Sequence, residues 1–127
     1  IIYGPREKNW AAVESIASMV KNNTEVTVGS LKTGRRFVHV FDIVEGIILS
    51  IGQSGFNIIN LTGNTIITLN DIIKTTEKLF NKSITIVEKN PTNISLRNPS
   101  NQKAKKLLNW NPKINLEDGL KSIKSFI

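Results

Sequence analysis

The chain has 127 residues, 39% of them hydrophobic and 21% charged, which is one domain's worth of ordinary globular composition and too apolar for a disordered segment. It contains no cysteine, which excludes a disulfide framework, a thiolate metal site and a cysteine nucleophile, and suits a reducing, cytoplasmic compartment. The net charge of +7 favours an anionic partner, but the lysines are spread along the chain, with Lys103-Ala104-Lys105-Lys106 the only short cluster.

The chain opens in the middle of an apolar run, Ile1-Ile2-Tyr3-Gly4-Pro5, with neither a basic start nor a small-residue cleavage site, and so reads as a truncated segment. Trp10, Val13, Ile16, Ala17 and Val20 then recur at the spacing of one helix face, predicting a helix from Trp10 to Lys21. Glu25 to Gly29 alternates around Val26 and Val28 and predicts a short strand. Arg36 to Phe41 is a β-rich run, after which Asp42 can cap a helix over about 43–51, ended by Gly52-Gln53-Ser54-Gly55.

Phe56 to Leu61 is apolar and β-branched, the pattern of a buried strand, and Thr62-Gly63-Asn64 is a turn. Thr68 to Asp71 has the capping-box form, followed by Ile72, Ile73, Thr76, Leu79 and Phe80 at helical spacing. Ser83 to Val87 predicts another strand, and Lys89 to Pro99, with Pro91 and Pro99, a loop. Ser100 or Asn101 can start a helix to Leu108, which Trp110-Asn111-Pro112 breaks. Asn115 can cap a last helix with Leu116, Leu120, Ile123 and Phe126 inward. The predicted class is α/β in the mixed α+β sense, with short strands and about five helices.

Several sites are excluded by the residues present. One histidine rules out paired-histidine metal sites and the helical HExxH motif. His39 alternates with Phe37 and Phe41, the setting of a packed structural histidine rather than a catalytic one. No P-loop, no GxSxG elbow and no strand-linked GxGxxG occurs, and Glu7 stands where a Tyr-x-x-x-Lys pair beginning at Tyr3 would need lysine. The longest apolar run, Gly46 to Ile51, is far below the roughly 18 residues of a membrane span, so no membrane partner is expected.

Five motifs in order carry a family resemblance. Ile2-Tyr3-Gly4-Pro5 resembles a Val-Tyr-Gly-Pro segment. Gly29 followed by Arg35-Arg36-Phe37-Val38-His39-Val40-Phe41-Asp42 is similar to Gly…Arg-Asp-Phe-Val-His-Val-Asp-Asp. Phe56 to Leu61 resembles a Tyr-Asn-Ile-Gly strand, and Thr68 to Ile73 a Thr-Leu-x-Glu-Leu helix start. Arg97-Asn98-Pro99-Ser100, then Lys103 to Pro112 and Leu116 to Leu120, resemble Arg-x-Pro-Asp…Lys-Ala…Leu-Gly-Trp-x-Pro…Leu-Glu-Glu-Gly-Leu. Together they resemble the C-terminal, substrate-binding half of the extended short-chain dehydrogenase/reductases, the NAD(P)-dependent nucleotide-sugar epimerases and dehydratases.

The resemblance implies that residues 1–127 form a substrate-binding domain detached from a Rossmann-type half. Residues 1–5 would end the cofactor-domain strand, and the helix and strand within 43–61 would pack on the missing half. NAD or NADP would belong to the parent enzyme, with none bound by this fragment alone and no catalytic residue within it. The partner would be a nucleoside-diphosphate sugar. Arg35 and Arg97 would contact the diphosphate, chemistry that a guanidinium fork suits, and the backbone around Val28 is a lesser candidate for contacting the base. Arg36 stands where the family pattern has Asp and would face away. Without the other half the apolar faces would be exposed, and the isolated chain would associate with itself as a homo-oligomer. The alternative is a basic nucleic-acid-binding or protein-interaction module. Few aromatics and no stacking pattern make a nucleic-acid partner the weaker expectation.

Overall fold

A computed structural model describes residues 1–8 and 10–127. In chain order the elements are β1 (Ile2–Tyr3), α1 (Ala12–Asn22), β2 (Glu25–Val28), β3 (Gly34–Arg35), β4 (Val38–His39), α2 (Val40–Ser50), β5 (Ile67–Thr68), α3 (Leu69–Phe80), β6 (Thr85–Glu88), β7 (Leu96–Arg97), α4 (Gln102–Leu108) and α5 (Leu116–Ile123). The mixed α/β class with five helices is the one the sequence predicts.

The strands form three small sheets among the described residues. β1 pairs with β4 in parallel, β2 with β6 in parallel, and β3 lies between β5 (antiparallel) and β7 (parallel). The main core lies where α1, α3 and α5 pack beside the β2–β6 pair. Val13, Ile16, Ala17 and Val20 of α1 meet Ile72 and Ile73 of α3, Leu120 and Ile123 of α5, and Val26 of β2. Each valine, leucine or isoleucine so buried contributes about 1.5–3 kcal/mol of transfer free energy. A second cluster joins Val38 and Ile43 to Ala104, Leu108 and Trp110.

Helix ends follow local chemistry. Thr68 Oγ1 accepts from the Asp71 N–H and an Asp71 carboxylate oxygen accepts from the Thr68 N–H, the capping box that the sequence predicts. Asn115 caps α5 by accepting from the Asp118 N–H. Ala11 has no capping side chain, and Glu14 reaches back to its N–H instead. The same buried carboxylate accepts from Gly4 N and Arg6 Nε, so it fixes the segment leading into α1.

Three expectations are corrected. The helix expected over 43–51 with Asp42 as cap begins at Val40. His39 is the cap, its Nδ1 accepting from the Phe41 N–H. Asp42, inside the first turn, is instead committed to tertiary bonds. Residues 56–61 form no strand, and Phe56 and Ile58 are 90% and 70% exposed. A strand needs a neighbour to take its backbone groups, and among the described residues no strand runs beside that segment. At the C-terminus Phe126 lies partly exposed while Ile127 enters the core, because the chain leaves helical geometry after Ile123.

α2 is apolar on both sides. Ile43 is buried, while Phe41, Val44, Ile47, Ile48 and Ile51 are exposed along the other side. No helix is long and apolar enough to cross a membrane among the described residues.

Candidate anion-binding site

The three-stranded sheet brings the two sequence-predicted arginines together. In the β3–β7 register Arg35 is the direct partner of Arg97, although they are far apart in sequence. Neighbouring strands lie about 4.8 Å apart and directly paired residues share a face. Arg35, Ile67 and Arg97 therefore lie on one face, and Gly34, Thr68 and Leu96 on the other.

Arg35 is held before any ligand arrives. Its Nη1 donates to the carbonyls of Gly34 (2.7 Å) and Ser95 (2.6 Å), and Nη2 donates to Ser95 Oγ (3.0 Å). Three of five N–H donors are thus engaged. The Nε–H and one Nη2–H remain, and these can take two oxygens of one phosphate. The Arg97 side chain is exposed and makes no hydrogen bond or ion pair among the described residues. Two guanidinium groups on one face of adjacent strands repel each other and attract a polyanion.

Val28 stands differently. Its side chain is buried in the main core, and its carbonyl accepts from the Lys89 N–H at 2.9 Å. Only backbone at the end of β2 could meet a ligand there. A cleft of about 630 Å³ starts near that end, lined by Leu31, Lys32, Glu88, Ile66, Asn70 and Leu96. Its walls are mostly apolar, and Glu88 Oε1 accepts from the Leu31 N–H at 2.7 Å.

The other titratable groups in the neighbourhood serve the fold. His39 is fully buried. Its Nδ1 accepts from Phe41 N, so Nε2 carries the proton toward Ser122 Oγ at 3.0 Å, and Ser122 in turn donates to the Gly119 carbonyl. Burial lowers the pKa of its ring, against smaller opposing influences of Asp42 and Glu14. Tyr3, the only tyrosine, is 1% exposed. Burial first, then the charges of Asp42, Glu14 and Asp118, pushes its hydroxyl far above the ordinary phenol range. Such a group does not suit proton transfer near neutrality. The sequence carries no glycine-rich dinucleotide fingerprint. Among the described residues no three His, Cys, Asp or Glu side chains cluster to hold a metal.

Sequence reasoning missed Ser95, which holds Arg35, and Asn98, which Arg36 engages. Both lie in the proline-bounded segment before α4, where neither periodicity nor spacing marks them.

Comparison with known proteins bears on the family and the fold. A family profile described as GDP-mannose 4,6 dehydratase matches residues 3–123. UDP-glucuronate 4-epimerase of Thermodesulfobacterium geofontis (strain OPF15) is 31% identical over 124 residues, covering 94% of this chain and 38% of that protein. UDP-glucuronic acid decarboxylase 3 of Arabidopsis thaliana is 32% identical over 123 residues, covering 93% of this chain and 36% of that protein. The chain thus spans little more than a third of the length of these curated relatives. The crystal structure of the UDP-glucuronic acid 4-epimerase of Bacillus cereus, in complex with UDP-glucuronic acid and NAD, superposes with a TM-score of 0.79 at 26% identity. That match covers 98% of this chain and 42% of that one.

Proposed function

Because this chain belongs to the GDP-mannose 4,6 dehydratase family of extended short-chain dehydrogenase/reductases, we propose that it is the substrate-binding part of an NAD(P)-dependent nucleotide-sugar epimerase or dehydratase. The observation that carries this reading is the β3–β7 register, which pairs Arg35 with Arg97. Two guanidinium groups at adjacent strand positions match a diphosphate, whose oxygens need charge-assisted donors from two directions. The backbone that follows Val28 is the candidate contact for the base; the cleft lined by Thr68 and Leu96 lies on the sheet face opposite the two arginines and is not assigned to the same ligand.

The nicotinamide cofactor would supply hydride transfer when bound by protein outside this chain. The residues here bind and orient: Arg35 and Arg97 neutralise the diphosphate and so fix where the sugar lies. The exposed apolar side of α2, with Phe56 and Ile58, supports a covering partner. So does β1, where Ile2 lies exposed although Tyr3, Val38 and His39 beside it are buried. The partner we assign is the rest of a longer chain, of the length that the relatives have beyond the matched segment.

The test is a calorimetric titration of the full-length protein with UDP-glucuronic acid. Arg35→Ala and Arg97→Ala each lose about 1.5–3 kcal/mol, roughly tenfold or more in affinity. Unchanged affinity in both variants would refute the assignment.

A further inference from the structure

Arg36 breaks the family pattern, which has an acid at this position, and two of its five N–H donors are engaged by other segments. Nε donates to Asn98 Oδ1, and Nη1 donates to the Gly63 carbonyl at 3.2 Å. Asn98 immediately follows Arg97. Gly63 lies in the turn that follows the exposed 56–60 segment. One side chain thus spans from the residue after Arg35 to the residue after Arg97, through a turn that belongs to neither strand.

That turn is itself wedged. A Cβ at Gly63 would sit 2.2 Å from the Phe37 carbonyl oxygen, so no other residue allows this approach. Thr62 Oγ1 donates to the Arg36 carbonyl at 3.1 Å. Buried Asn101 donates to the Thr62 carbonyl and to Asn64 Oδ1, both at 3.0 Å, and Asn60 donates to the Ser100 carbonyl at 3.3 Å. The 60–64 turn is therefore bonded to Arg36, the residue after β3, on one side and to Ser100 and Asn101 on the other. Only two residues of β7 pair with β3, too short a ladder to fix Arg97 by itself.

We propose that Arg36 is a positioning residue that sets the spacing of the two diphosphate-binding arginines. It acts by bracing Asn98 and Gly63, and it touches no ligand. This rests on the reading of Arg35 and Arg97 given above. An acid at position 36 has no donor for either carbonyl-type oxygen, so a protein with the usual Asp there must fix the same segment by other contacts. A lysine keeps the charge but offers a single compact ammonium that cannot span both acceptors.

The experiment compares UDP and uridine binding to the full-length protein and its Arg36→Met, Arg36→Lys and Asn98→Ala variants. Parallel titrations use Arg35→Ala and Arg97→Ala. A misplaced Arg97 weakens only what binds the phosphates. UDP affinity should fall about tenfold in both Arg36 variants and in Asn98→Ala, while uridine affinity stays unchanged. An equal loss for UDP and uridine would mean general damage to the fold and overturns the proposal. Retention of UDP affinity by Arg36→Lys would mean that Arg36 acts by charge alone, and also overturns it. If Arg97→Ala weakens UDP but Arg36→Met and Asn98→Ala do not, the brace is wrong while the site stands. If neither Arg35→Ala nor Arg97→Ala weakens UDP, the site is wrong and the brace falls with it.

Discussion

Replacing Asp42 should loosen the C-terminal third of the chain. Its carboxylate is 3% exposed, with Oδ1 accepting from Lys113 N at 3.0 Å and Oδ2 from Ile114 N at 3.1 Å. Its backbone carbonyl accepts from Trp110 Nε1 at 2.8 Å. One residue on α2 thus fastens the connection between α4 and α5. A hydrogen bond to a charged group is worth about 1.5–3 kcal/mol, and two are lost in Asp42→Ala. Lys113 is exposed, so water can reach part of the vacated site, and the lower end of the range applies, about 3 kcal/mol in all. Asp42→Asn keeps one acceptor and turns an amide N–H₂ against the other donor, costing about half as much. For a chain of this size 3 kcal/mol lowers Tm by about 10 °C. Urea unfolding followed by circular dichroism checks this, with a lower midpoint and an unchanged m-value. An alanine variant within about 0.5 kcal/mol of the parent would show that these bonds merely replace equivalent ones to water.

Two further outcomes concern pH and packing. His39 has its pKa lowered by burial, so the unfolded chain binds the proton more readily, and stability should fall as pH drops below about 6.5. Glu77 has its pKa lowered chiefly by its hydrogen bond to Lys74, then by the Ile84 N–H, and adds a second loss below the ordinary carboxylate range. Unfolding midpoints between pH 4 and 8 should show the first loss, and a His39→Gln variant whose profile still falls from pH 7 to 5.5 would refute its assignment. Gly119→Ala, although alanine is the better helix former by about 1 kcal/mol, should destabilise by about 2 kcal/mol net. The added Cβ would sit 2.0 Å from the Tyr3 hydroxyl oxygen, in the core where α5 meets β1. A stabilised Gly119→Ala variant, measured by thermal unfolding, would contradict that packing.

The elements legible in the sequence were those with a local cause. The capping box of α3, the Asn115 cap of α5 and the helical spacing of both need only neighbouring residues, and so do the short strands β2 and β6. Arg35 and Arg97 were also found from sequence, through ordered motifs, though nothing local said that they would be neighbours. Asp42 shows the limit. Its position before an apolar run is that of a cap, and His39 takes that role because the chain turns helical earlier, freeing Asp42 to receive Lys113 and Ile114.

Sequence alone determined the class and the helix faces, because periodicity is carried by the chain itself, while Arg35 and Arg97 as diphosphate contacts are what the family resemblance implies and are proposed above. The tertiary structure decided the pairing of β3 with β7, the hold of Ser95 on Arg35 and the reach of Arg36 to Asn98 and Gly63. Those depend on which segments lie side by side. Strands of two residues have no periodicity to read, and a hydrogen bond across some 60 residues leaves no trace in local spacing. The same reason explains the 56–61 segment. Its residues are those of a strand, but a strand exists only where another backbone answers it, and none among the described residues does.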